Sequence, residues 1–244
     1  MTDKIVLAEE FTALAPHDGM TVADLIEANT GGQGMTEADI TRLSIPAGGA
    51  IAWEVPTIDG EDMVKDLHCV ILAFNDHRVF YPGDFSGESK PPQCSSKNMK
   101  VGQWVENYDD EIDDWNFIEK GCANCEMNQW GTKGRGKACA ERRLTLVLTP
   151  GRKLPFLVDV SPGSMRDVRK YFNMMTAEGK VFFGAVTNMK LVKAESGGGI
   201  KYSQIQPQFV RDLTRDEFKA ATEMREAMAP ALEVAVEKPI EGPL

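Results

Sequence analysis

The chain has 244 residues, 42% hydrophobic and 26% charged, an ordinary balance for a soluble globular protein of one large domain or two small ones. No apolar run approaches 18 residues, which argues against a membrane-spanning helix, and the opening MTDKIVLAEEF lacks the basic-then-apolar pattern of an export signal. The formal net charge of −10 argues at first against nucleic acid as a partner.

The N-terminal segment, residues 1–49, reads as helical. TVADLIEAN places Val22, Leu25 and Ile26 on one face and is stopped by Gly31 and Gly32. Thr36, with Asp39 three residues on, predicts a second short helix, TEADITRL. Strands follow. AIAWEV alternates and is bounded by Gly49 and Pro56, and DLHCVILAF is apolar from Cys69 to Phe74, as a central strand should be. Asn75 and Asp76 predict a turn, with HRVFYP as the return strand. His68 and His77 border these strands without a partner at ligand spacing, which makes both structural.

Residues 83–141 hold four of the five cysteines, spaced C-x27-C-x2-C-x13-C. Cys94, Cys122, Cys125 and Cys139 are candidate ligands of one structural zinc. The C-x2-C turn brings two sulfurs onto one ion, and tetrahedral zinc takes four thiolates. The alternatives are four buried free thiols or a redox pair in CANC. The glycines after CANC suit a loop better than the helix a redox motif opens. Cys69 lies inside an apolar strand and is left out of the set. An odd cysteine count with no export signal fits a reducing cytoplasm. Within the same span, residues 106–119 carry seven acids. Their spacing does not match a calcium loop, so they read as a solvated acidic loop.

Beyond Arg142, RRLTLVLT and KLPFLVDV are strands and SPGSMRDVRKYFNMMTAEG is a helix. Ser164 is its expected cap, Met165, Val168, Tyr171, Phe172 and Met175 its buried face, and Gly179 its end. KVFFGAVTNMKLVKA and KYSQIQPQFVRDL form a hairpin through Gly197–Gly199. Thr214 and Glu217 form a capping box opening a last helix to about Met228, followed by a Pro-containing tail. This order suggests a mainly β fold with α elements: an OB-like antiparallel barrel over residues 50–212, a four-cysteine zinc-ribbon insertion at 83–141, and a C-terminal helix and tail at 213–244.

Charge is unevenly spread. Residues 1–119 hold 7 Lys and Arg against 23 Asp and Glu, residues 120–153 hold 8 against 2, and residues 154–244 hold 12 against 12. The basic stretch coincides with the second half of the cysteine module, and a local basic patch speaks to a partner where global charge speaks to solubility. There Trp130 stands among Lys133, Arg135, Lys137, Arg142 and Arg143. An indole offers a base a stacking face, cations neutralise phosphates, and glycines let the backbone approach them. Trp130 could instead cover the zinc sulfurs, and Arg142 and Arg143 could pair with the acidic loop. No G-x-S-x-G, H-E-x-x-H, Walker or G-x-G-x-x-G motif occurs, and GTKGRGK lacks the Lys-Ser/Thr pair of a triphosphate loop. The chain therefore reads as a binding protein, not an enzyme.

The run C-x2-C-x-x-NQWG, then GRGKAC, then RRL, resembles zinc-containing phage and prophage proteins. It is also similar, more loosely, to phage helix-destabilising proteins, which bind single-stranded DNA and hold zinc in an insertion within an OB-fold. The resemblance spans about residues 65–210, its specific part Cys94 to Leu144. It implies Cys94, Cys122, Cys125 and Cys139 as ligands of Zn²⁺ and Arg135, Lys137, Arg142 and Arg143 beside a DNA groove. It further implies a host-cell cytoplasmic protein serving replication or recombination, with replication or recombination proteins as partners and RNA as the alternative strand. Two departures stand out: the family uses a histidine ligand, absent here, and its acidic tail has only a weak echo in residues 212–244. An alternative is a zinc-containing regulatory protein that docks on a host enzyme; another is a nuclease built from scattered carboxylates.

Overall fold

A computed structural model describes residues 22–33, 39–83, 92–109 and 114–235. The chain divides into two compact units, one of residues up to Phe74 with Thr145–Leu232, the other of Asn75–Leu144 with Glu233–Leu244. Strands predominate, with a few helices. Among the described residues, no helix is long and apolar enough to cross a membrane.

The first unit contains the apolar core. Helix α1 (Val22–Thr30) precedes a two-residue strand β1 (Arg42–Leu43). A second helix was expected there; its start lies outside the described residues. Its end is a strand because Leu43 is buried at the core and Leu157 N donates to Thr41 O at 2.9 Å, pairing β1 in parallel with β9 (Phe156–Val160). A tertiary partner has overridden local helix preference. β2 (Trp53–Thr57) and β3 (Gly60–Val64) form a separate hairpin, fastened by Trp53, whose fully buried indole N–H donates to Met189 O at 2.7 Å.

β4 (His68–Phe80) is one strand of 13 residues, and β8 (Ala140–Leu148) lies beside it. The expected turn at Asn75 and Asp76 does not form: Asp76 turns its carboxylate to Arg143 and the backbone stays extended. Since β4 does not fold back, the hairpin a barrel would need there is missing. The sheets are accordingly open among the described residues. β1 pairs with β9 alone and β11 (Lys201–Asp212) with β10 (Ala185–Glu195) alone, while β10 joins β4 through Cys69 and Thr187. The OB-like closed barrel is thus corrected to a mixed α and β fold with open sheets.

Helix α2 (Pro162–Ala177) buries Met165, Val168, Tyr171 and Met175, the face its spacing predicts. Its N-cap is Ser161 rather than Ser164; Ser164 is buried and accepts Ile205 N at 2.9 Å, tying the helix to β11. Gly179 (φ 70°) ends it in the left-handed region that glycine favours. Cys69 is fully buried in this core, and burial raises its thiol pKa strongly.

Helix α3 (Arg215–Ala235) opens with the expected capping box: Thr214 N donates to Glu217 Oε2 at 2.8 Å and Glu217 N to Thr214 Oγ1 at 3.3 Å. It runs past Met228, where its end was expected. Glu217 is buried and takes both Nη atoms of Arg211 at 2.8 Å. Burial pushes its pKa up, but the Arg211 fork and Thr214 outweigh it, leaving the carboxyl below its ordinary 4.5. Glu217 therefore stabilises the fold above that ordinary value, and the contribution is lost as pH falls through the depressed one. Glu217→Gln is expected to lower the thermal midpoint at neutral pH and to flatten its decline below pH 4.5. An unchanged acid limb would refute the assignment.

Candidate functional site

The second unit brings the cysteines together from four chain positions. Cys94 opens β5 (Cys94–Ser96), which pairs with β4 and with β6 (Val101–Asp109). β6 returns as β7 (Asp114–Gly121), so most of the expected acidic loop is an antiparallel hairpin; Asp110, Glu111 and Asp113 lie outside the described residues. Cys122 follows β7 directly, held by its N–H donating to Lys100 O at 2.8 Å. Cys125 precedes a short 3-10 turn (Glu126–Asn128), and Cys139 precedes β8, its N–H donating to Met127 O at 2.8 Å.

All four cysteines line one cavity, and none is in a disulfide. Phe80 and Trp104 stack on each other at 5.7 Å and share the lining, with Lys120 Nζ 3.7 Å from the Trp104 ring centre. Gly102 is required here: a Cβ on it would lie 2.7 Å from Cys94 Sγ and 3.7 Å from Cys122 Sγ. Burial pushes the Cys94 thiol up to about 11, and Cys122 and Cys125 add to the rise while Lys120 opposes it. Burial likewise takes Cys139 to about 12 against the pull of Arg78, with the other three thiols raising it further. Each thiol thus resists ionisation beside the others, a cost that a divalent cation would reverse. As the side chains stand, no group of three or more His, Cys, Asp or Glu among the described residues is arranged to hold a metal ion. The backbone gathers the thiols without drawing them into a coordination shell.

The basic loop lies between the turn and β8. Its backbone is closed on itself: Gly131 N and Lys133 N donate to Gly136 O at 2.9 and 3.3 Å, Gly136 N to Lys133 O at 2.9 Å, and Ala138 N to Thr132 Oγ1 at 2.9 Å. Gly131 (φ 89°) and Gly134 (φ 59°) serve this tight turn, so their amides are not a phosphate cradle. Trp130 is 77% exposed and does not cover the sulfurs; Phe80 and Trp104 do that. Lys133 and Arg135 are exposed, and Lys137 Nζ lies 5.5 Å from the Trp130 ring centre, 3.2 Å from Asn128 Oδ1 and 3.5 Å from Glu141 Oε1.

Arg142 is half-buried. Arg143 is buried and closes a fork on Asp76, Nε to Oδ1 at 2.6 Å and Nη2 to Oδ2 at 3.0 Å. That guanidinium serves the strand pair, not the surface, and its printed partner is Asp76 rather than the acidic hairpin.

Sequence reasoning missed Arg78, Glu141, Asn128, Trp104 and Gly102. Arg78 bonds Met99 O at 3.3 Å and Glu141 Oε1 at 3.0 Å at the cavity wall. Only the i, i+2 spacing of Gly102 and Trp104, which puts them on one strand face, could have signalled any of these. No family model, curated protein or solved structure matches the chain.

Proposed function

We propose that residues 75–144 form a zinc-stabilised module that binds single-stranded DNA without reading its sequence, in the manner of the phage helix-destabilising proteins it resembles, and that the protein is a binding protein rather than an enzyme. The observation that carries the reading is an exposed Trp130 on a closed loop with Lys133, Arg135 and Lys137, built beside a four-thiol cavity. The indole would stack a base, and the cations would neutralise phosphates and release counterions. Arg143, committed to Asp76, is left out of this surface.

Zinc fits the thiol set for a second reason. Among the described residues of 75–144, the buried hydrophobic side chains are Val79, Cys122, Cys139 and Leu144, whereas the main core cluster lies wholly in the first unit. A unit with so little apolar burial needs a staple. Cys94, Cys122, Cys125 and Cys139 would hold the ion, which supplies the charge that stabilises four thiolates and cross-links the segments carrying them.

Trp130→Ala is expected to weaken binding of a labelled oligo-dT about tenfold or more, as loss of roughly 1–3 kcal/mol of stacking implies. Lys133→Gln with Arg135→Gln should lower the slope of log affinity against log salt by about 2. A wild-type protein that leaves oligo-dT unbound at low salt would sink the reading. The alternative, docking on a partner enzyme, draws on exposed Val101, Phe117 and Ile118 of the β6–β7 hairpin, and nuclease-insensitive capture of one host enzyme would favour it.

A further inference from the structure

We infer that Asn128 is a positioning residue that couples metal loading of the thiol cavity to strand binding at the Trp130 loop. The inference rests on the zinc site and strand-binding loop proposed above. Asn128 is 9% exposed and all its printed hydrogen bonds run either to the cysteine pair or to the basic loop. Its backbone N–H donates to Cys125 O at 3.0 Å, and its Nδ2 donates to Cys122 O at 2.8 Å. Both halves of the C-x2-C pair are therefore anchored on this one residue. Its Oδ1 accepts Lys137 Nζ at 3.2 Å, and that ammonium lies over the Trp130 ring.

The route back to the cavity is also short. Lys137 shares Glu141 Oε1 with Arg78, which lines the same cavity as the thiols. Drawing Cys122 and Cys125 onto an ion acts through the two carbonyls that Asn128 holds. Fixing Asn128 fixes Lys137, and with it the charge beside the stacking face. A loop ordered in advance spares the strand the cost of ordering it, so the coupling is positive. By linkage the strand then raises zinc affinity by the same factor by which zinc raises strand affinity.

The test uses the full chain with Zn²⁺ and oligo-dT as probes. Zinc affinity is measured by competition with a chromophoric chelator, with and without saturating oligo-dT. The wild type is expected to bind zinc about tenfold more tightly with the strand present. Asn128→Asp keeps an acceptor for Lys137 but loses the donor to Cys122 O, and should bring the ratio close to one while both ligands still bind. A wild-type ratio of one overturns the inference, as does an unchanged ratio in Asn128→Asp.

A second readout needs no strand. With 5-fluorotryptophan incorporated and the Trp130 resonance assigned through Trp130→Phe, adding Zn²⁺ should shift that ¹⁹F signal in the wild type and much less in Lys137→Gln, a loop substitution away from the core. An unmoved Trp130 signal in zinc-loaded protein, a full wild-type shift in Lys137→Gln, or failure of the wild type to take up zinc each overturns the inference. A shift in a protein that leaves oligo-dT unbound would leave the link between cavity and loop standing and remove the strand as its ligand.

Discussion

Cys122→Ser is expected to reduce bound zinc from about one ion per chain to near zero and to unfold residues 75–144 while leaving the first unit folded. Cys122 is buried beside Gly102, whose missing side chain makes room for its sulfur and that of Cys94. Its carbonyl holds Asn128 and its amide holds Lys100 O, so the serine variant weakens the metal shell where the backbone converges. Structural zinc contributes on the order of 10–16 kcal/mol at neutral pH in small zinc domains, as much as the whole stability of a typical domain. With Val79 and Leu144 as its buried aliphatic side chains among the described residues, this unit has little to set against that loss. Limited proteolysis should then cut within 75–144, while far-UV circular dichroism keeps the signal of α2 and α3. Metal content by atomic absorption gives the direct readout, and Cys69→Ser, in the other unit's core, should leave it unchanged. A wild type that carries no zinc when purified and refolds equally well with a chelator present would contradict the assignment.

Asp76→Ala should destabilise the protein by about 3–5 kcal/mol, because it strands a buried guanidinium. The Arg143 side chain is 7% exposed against 26% for Asp76, and the pair is bidentate. Removing the arginine should cost less, since the more exposed carboxylate can be hydrated in its place. Asp76→Ala with Arg143→Met should recover much of the single-variant loss, since a buried ion pair replaced by apolar groups is often close to neutral. Denaturant midpoints for the two single variants and the double variant measure this. A loss below about 1 kcal/mol for Asp76→Ala would show that Arg143 rehydrates on its own.

That pair marks where local reading stopped working. Asn75 and Asp76 have the composition of a turn, and nothing within ten residues says otherwise. The partner that keeps the strand extended is 67 positions away in sequence. Arg142 and Arg143 looked equivalent as neighbouring cations, yet adjacent strand residues point to opposite faces, and one of them is buried in an ion pair. Trp130 was open to two readings, over the sulfurs or in solvent, and exposure places it in solvent because Phe80 and Trp104 already line the thiol cavity.

The amino-acid sequence by itself determined which residues could do chemistry. It singled out four cysteines at thiol-pair spacing, placed a basic run against an acidic background, and marked the α2 face and the Thr214–Glu217 box, because each of these is encoded within a few residues by period, charge or capping chemistry. Tertiary structure alone decided that β4 runs on, that β1 is a strand, that the sheets stay open, and that the four thiols share one cavity. Those outcomes depend on backbone pairing and ion pairs between residues far apart in the chain, and such partners leave no local periodicity to read.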